Sequence, residues 1–124
     1  LEGTVPVVTL DIDGNDQYDA LTDGMLLLRS MFGFTGSTLI DGAVGPDALY
    51  ESSADIESRI EALGEMVDVD GNGQKDALTD GLIVIRYLFG YKADALLDGL
   101  LISGSPGRTS SEIEVHIEKM MPSL

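Results

Sequence analysis

The 124 residues include no cysteine, no tryptophan and a single histidine, His116. Without cysteine there is no disulfide staple, no thiolate nucleophile and no zinc–thiolate site. One histidine also excludes a metal site built on two imidazoles. Basic residues are scarce: 7 Lys and Arg face 22 Asp and Glu, for a formal charge of −15. That imbalance repels phosphate backbones and anionic lipid, so no nucleic-acid partner is expected. The longest apolar runs, such as 25–28 and 82–85, fall far short of the ~20 residues that cross a bilayer. The opening Leu1-Glu2-Gly3 lacks the basic and apolar regions of a signal peptide, and the chain reads as a piece of a longer protein. No Ser-His-Asp or Cys-His grouping supplies a nucleophile, so the chain is not expected to be an enzyme.

What is present is apolar enough to fold. Hydrophobic residues make up 44% of the chain, too many for a disordered acidic tail. The acid is concentrated: nine of the 14 Asp lie within 11–23 and 68–80. Those windows belong to an internal repeat. DIDGNDQYDALTDG at 11–24 aligns without a gap on DVDGNGQKDALTDG at 68–81, an offset of 57 residues. Over the full offset 22 of 57 positions are identical, so the chain divides into repeat 1 at 11–67 and repeat 2 at 68–124. Residues 1–10 precede them as a linker or short extended segment, with Val-Val-Thr-Leu as a candidate edge strand.

The patterning predicts an all-α fold: two EF-hand-like loop–helix repeats of period 57, packed as a small helical domain around a shared core. Each unit reads as an acidic loop, an apolar helix, a short element at Leu-x-Asp-Gly and an amphipathic helix. The first helices are expected over 20–32 and 77–89, with Gly33 and Gly90 as stop signals. Leu21, Met25, Leu28 and Phe32 form one helical stripe expected to face the core, widened by Leu26, Leu27 and Met31. The last helices place Ile56, Ile60 and Leu63, and again Ile113, Ile117 and Met120, at helical spacing. Ser53 and Ser110 or Ser111 are their expected N-caps. Asp94 or Asp98, and Ser37 or Asp41, are expected to cap the short elements. His116 is expected on a half-exposed helix face, and the five Met within the core.

The loops carry the chemistry. A hard divalent cation such as Ca²⁺ takes six to eight oxygens, and alternate residues of a curled loop supply them. In loop one these are Asp11, Asp13, Asn15, the Gln17 carbonyl and Asp19, which also stands where it can cap the following helix. In loop two they are Asp68, Asp70, Asn72, the Gln74 carbonyl and Asp76. The usual EF-hand closes with a bidentate Glu at position twelve. Here that position is Thr22 or Thr79, so the closing carboxylates are assigned to Asp23 and Asp80, one residue later. Gly14 and Gly71 permit the tight turn. Magnesium demands a tighter octahedron, and zinc and copper want nitrogen or sulfur, so two Ca²⁺ per chain are expected. Loop two is expected to bind more tightly, because the sharp turn at position six is Gly73 there and Asp16 in loop one.

At DIDGNDQYDALTDGMLLLRSMFG and DVDGNGQKDALTDGLIVIRYLFG the chain resembles the dockerin and EF-hand-like calcium modules of bacterial extracellular proteins. Dockerins are two loop–helix repeats, folded by calcium, that attach secreted glycoside hydrolases to cohesin domains. The resemblance implies an extracellular module, secreted or at the cell surface, with a cohesin-type protein partner. The residues matching the dockerin contact positions are Ala20, Leu21, Ala77 and Leu78. Two non-catalytic roles stay open on the residues: attachment to such a partner, or a calcium-stabilised C-terminal cap that binds nobody. Paired carboxylates as in glycosidases, and a Met-rich calcium sensor, are weaker readings.

Overall fold

A computed structural model describes residues 9–100 and 108–123. All regular structure among them is helical. Six α-helices follow in order: α1 (Met25–Met31), α2 (Gly36–Ile40), α3 (Ser53–Leu63), α4 (Leu82–Leu88), α5 (Asp94–Leu97) and α6 (Ser110–Glu118). A π-helical turn, Ala20–Gly24 or Ala77–Gly81, leads into α1 and α4, and a 3₁₀ turn, Gly64–Val67, joins α3 to the second loop. The two π turns are 57 residues apart, as are α1 and α4.

The expected continuous α-helix from residue 20 is therefore corrected at its first turn. The Gly24 and Gly81 amides donate to the carbonyls of Asp19 and Asp76, five residues back, at 3.1 and 3.2 Å. Such a turn holds one more residue than an α-turn. The extra residue offsets Leu21 from the face of the helix that follows, and Phe32 stands at the C-terminal end of α1. Leu21 and Phe32, expected in the core stripe, are exposed, while Leu26 and Leu27 are fully buried. Gly33 and Gly90 do end α1 and α4, each with the positive φ that glycine adopts freely.

Several caps move by one residue. Ser52 caps α3 by accepting from the Asp55 amide, and Thr109 caps α6 in a reciprocal box with Glu112. Ser53, Ser110 and Ser111 are not the caps. The short helices α2 and α5 start without side-chain caps, and Asp41 and Asp98 stand at their C-terminal ends with exposed side chains. The backbone carbonyls of these two Asp accept from Arg29 and Arg86, at 2.6 and 2.7 Å. Those bonds tie each short helix to α1 or α4.

One hydrophobic cluster joins the elements, running from Leu10, Ile12 and Leu26 through Ile56 and Ile83 to Ile113, Ile117 and Met120. The apolar stripes of α3 and α6 pack as their spacing predicts. Met25, Met31, Met66 and Met121 pack against this core and Met120 is within it. His116 is buried, contrary to expectation, with Nε2 2.8 Å from the Met66 carbonyl oxygen. Leu10 is also core, and its amide donates to the Met120 carbonyl at 2.7 Å. The Tyr18 hydroxyl donates to the Pro122 carbonyl, so both ends of the described chain are fastened together. Thr9 and Leu10 are not in a strand; the rest of the expected extended segment lies outside the described residues.

Each π turn packs its last glycine on the other unit's helix, Gly24 on α4 and Gly81 on α1. A Cβ on Gly24 would stand 2.8 Å from Ile85 Cγ1, and one on Gly81 would stand 2.8 Å from Leu28 Cδ1. These contacts are reciprocal, since Gly81 and Ile85 lie 57 residues after Gly24 and Leu28. Alanine gains about 1 kcal/mol of helix propensity over glycine, against about 1–3 kcal/mol for overpacking. Ile85 is β-branched and stiff, whereas the Leu28 methyl swings away on a flexible side chain. Gly24→Ala should therefore destabilise the protein by about 1–2 kcal/mol and Gly81→Ala by less than half of that. Urea denaturation of the two variants checks the order. Equal costs would mean that the helices relax apart instead.

Candidate metal centres

Each acidic loop curls so that its first, third and thirteenth residues meet. Carboxylate oxygens of Asp11, Asp13 and Asp23 all lie within 4.8 Å of one another, and those of Asp68, Asp70 and Asp80 do the same. All six residues are buried. The π turn makes this possible. Its extra residue brings the thirteenth residue of each loop, Asp23 or Asp80, back over the loop. Thr22 and Thr79, the displaced twelfth residues, bury hydroxyls that make no hydrogen bond. No sequence signal marked the π turn except the closing Asp being one place late.

The closing carboxylates are held by the loop backbone. Asp23 Oδ1 accepts from the Ile12 and Asp13 amides at 2.7 and 3.3 Å, and Oδ2 accepts from the Asp19 amide at 2.9 Å. Asp80 accepts from the Asp70 and Asp76 amides at 3.2 and 2.9 Å. Asp11 and Asp68 organise the turn itself, accepting from the amides of Asp16 and Gly73, both at 2.9 Å.

The other expected ligands lie in the same loops, outside the two triads. Asn15 and Asn72 accept through Oδ1 from the Gln17 and Gln74 amides, so each side chain braces its loop. Gln17 and Gln74 have exposed side chains. Asp19 and Asp76 lie outside the triads and donate their amides to the closing Asp. Neither makes the side-chain helix cap expected of Asp19.

Three carboxylate oxygens in the triads, Asp13 Oδ1, Asp68 Oδ1 and Asp70 Oδ2, are buried without a hydrogen-bond partner. Leaving an ionised oxygen so is costly unless a cation faces it. Electrostatics tell the same story. Burial pushes the Asp23 carboxyl up to about 7, against the Asp19 amide that lowers it, and Asp13 raises it further. Burial likewise drives Asp80 up to about 7, and Asp13 and Asp70 are raised for the same first reason. A divalent cation would reverse these shifts by favouring the charged form. The two triads can hold metal ions, and their donors are all oxygen.

No family model, curated protein or solved structure matches this chain.

Two arginines that no sequence motif marks also reach the loops. Arg59 on α3 donates from Nε to the Ile12 carbonyl at 3.1 Å and from Nη2 to the Asp11 carbonyl at 2.7 Å. Arg108 donates from Nη1 to the Asp68 and Val69 carbonyls at 2.8 and 3.2 Å. Lys75, the one base inside a loop, instead pairs with Glu65 at 3.4 Å on the surface. A further tie holds loop one: the Gly45 amide donates to Asp13 Oδ2 at 2.7 Å.

Position six has the left-handed backbone that its residue types implied. Gly73 has φ 87° and Asp16 has φ 66°, a left-handed conformation that costs a non-glycine residue about 1 kcal/mol. The Asp16 side chain is exposed, so its charge is screened by water. Asp16→Gly keeps the amide bond to Asp11 and relieves the strain. It should tighten metal binding at loop one by a few-fold, read by site-resolved NMR titration at about 0.15 M salt. Weaker binding by the glycine variant would show that the Asp16 charge matters more.

Proposed function

We propose that the chain is a non-catalytic calcium-binding module of a secreted bacterial protein, folded around two Ca²⁺ and attaching its parent to a cohesin-type partner. The observation that carries the calcium assignment is the set of buried, unpartnered oxygens of Asp13, Asp68 and Asp70 inside all-oxygen triads. Calcium suits them because it takes oxygen ligands in a flexible shell. The shell would be completed by Asn15 and Asn72, the Gln17 and Gln74 carbonyls, and Asp19 and Asp76, directly or through water.

Leu21 and Leu78 favour attachment over a cap. They are 64% and 62% exposed and stand at equivalent positions, just after each loop. Ala20 and Ala77 beside them are buried and support the turn. Among the described residues no helix is long and apolar enough to cross a membrane. Calcium-dependent retention of the chain on immobilised cohesin domains tests the reading. Leu21→Ser with Leu78→Ser should abolish retention while both ions still bind. A calcium-loaded chain that no cohesin-type domain retains would leave the cap as its role.

A further inference from the structure

The carbonyls held by Arg59 and Arg108 occupy the same two places in the two loops. Asp11 and Ile12 are the first and second residues of loop one, and Asp68 and Val69 those of loop two. The arginines themselves are not equivalent. The residue 57 after Arg59 is His116, which bonds the Met66 carbonyl instead, and the residue 57 before Arg108 is Glu51. Two unrelated positions thus bring a guanidinium to one task, which a mere echo of the repeat does not explain.

The task follows from peptide geometry. In a planar trans peptide the C=O and N–H point in opposite directions. Where Arg59 takes the Asp11 carbonyl, the Ile12 amide of that peptide points away from it, to Asp23 Oδ1. The next peptide does the same, with its carbonyl on Arg59 Nε and the Asp13 amide on Asp23 Oδ1. In loop two the Val69 carbonyl faces Arg108 while the Asp70 amide faces Asp80 Oδ1. Each closing carboxylate is therefore linked through a peptide plane to a guanidinium. Charge at both ends polarises and orients that peptide.

Packing places the guanidinia as firmly as the bonds do. Arg59 lies 4.3 Å over the Tyr50 ring, and that ring covers Gly14, where an added Cβ would meet it at 2.7 Å. In loop two a Cβ on Gly71 would come within 3.1 Å of Arg108 itself. The glycine at position four thus leaves room for the arginine assembly in both loops, besides taking a positive φ.

We propose, on the reading that calcium fills both loops, that Arg59 and Arg108 are positioning residues of the two calcium sites. Each fixes its closing carboxylate, Asp23 or Asp80, through the intervening peptide. Charge alone predicts the opposite sign, because a cation beside the loop repels calcium and its removal should tighten binding. Positioning predicts weakening.

Site-resolved titration of the full chain with calcium, followed by amide NMR, separates the two. Arg59→Met removes both hydrogen bonds to the loop and should weaken loop one at least about tenfold, leaving loop two within about twofold. Arg108→Met should do the converse. Arg59→Lys and Arg108→Lys, which keep the charge and lose the guanidinium fork, should also weaken their own site. At saturating calcium, where all variants are folded, the Ile12 and Asp13 amide protons should move upfield in Arg59→Met as their bonds to Asp23 lengthen. Unchanged or tighter binding in both the Met and the Lys variants, or unmoved amides at saturation, overturns the proposal while the calcium reading stands. A parent chain that binds no calcium overturns both.

Discussion

Asp23→Ala should eliminate the first metal site and leave the second. The side chain is fully enclosed and accepts three amides, those of Ile12, Asp13 and Asp19. Its removal takes away the closing ligand and leaves three inward-facing donors unsatisfied, each costing about 1–3 kcal/mol. In calcium the expected loss of stability is about 3–5 kcal/mol, at the severe end for a single substitution. Asp80→Ala should act on the second site in the same way. Calorimetric stoichiometry and thermal unfolding in calcium check it. Asp23→Asn makes a useful companion, because it keeps an acceptor for the Ile12 and Asp13 amides and removes the charge. It should fold better than Asp23→Ala and still lose the ion. Two ions bound by Asp23→Ala would place the closing ligand elsewhere.

The second large effect is a pH dependence whose sign depends on calcium. With the ion chelated, Asp23 and Asp80 titrate near 7 in the folded chain, against 3.8 for an ordinary Asp. The folded carboxyls hold protons more tightly than the unfolded ones. Their contribution to stability is fully present below about 3.8 and is lost as pH rises through about 7. The chelated protein should therefore melt at progressively lower temperature from pH 5 to pH 8, by more than about 5 °C in total. Calcium competes with those protons, so the saturated protein should follow the opposite trend over the same window. Melting curves at four pH values, with and without calcium, show the crossing. Parallel trends would mean that the buried carboxylates are not the groups that calcium meets.

The parts of this site that were legible in the sequence are those encoded locally. Asp11, Asp13 and Asp23 lie within 13 residues, and their spacing is a direct consequence of how a loop curls around a cation. The helices of the second half of each unit were legible for a similar reason, because Ile56, Ile60 and Leu63 mark one face by period alone. The π turn was not, since a helix with one extra residue keeps the same composition. Leu21 consequently leaves the core stripe that its spacing predicts. Caps were off by one residue because Ser52, Ser53 and Ser110 are all chemically fit to cap, and the backbone turn decides among them. His116 illustrates the opposite limit: a lone histidine carries no pattern, and only the fold reveals the Met66 carbonyl it meets. Arg59 and Arg108 reach their loops from 47 and 40 residues away along the chain, at positions that break the repeat. A contact of that range leaves no periodic trace.

Metal binding and folding are coupled through the loop residues. Ile12 and Val69 are fully buried between the triad residues, so each loop contributes to the core as well as to the ion. An ion that binds only the folded chain adds stability in proportion to the logarithm of its concentration over Kd, about 4 kcal/mol per site at a thousandfold excess. Two sites then contribute as much as the whole net stability of many small domains.

The most direct measurement is a calorimetric titration of the calcium-stripped chain, read beside its far-UV circular dichroism. Two ions should bind per chain, with helical signal and melting temperature both rising as they do. A chain that takes up no calcium, or one whose spectrum and melting temperature are identical with and without chelator, would contradict the account.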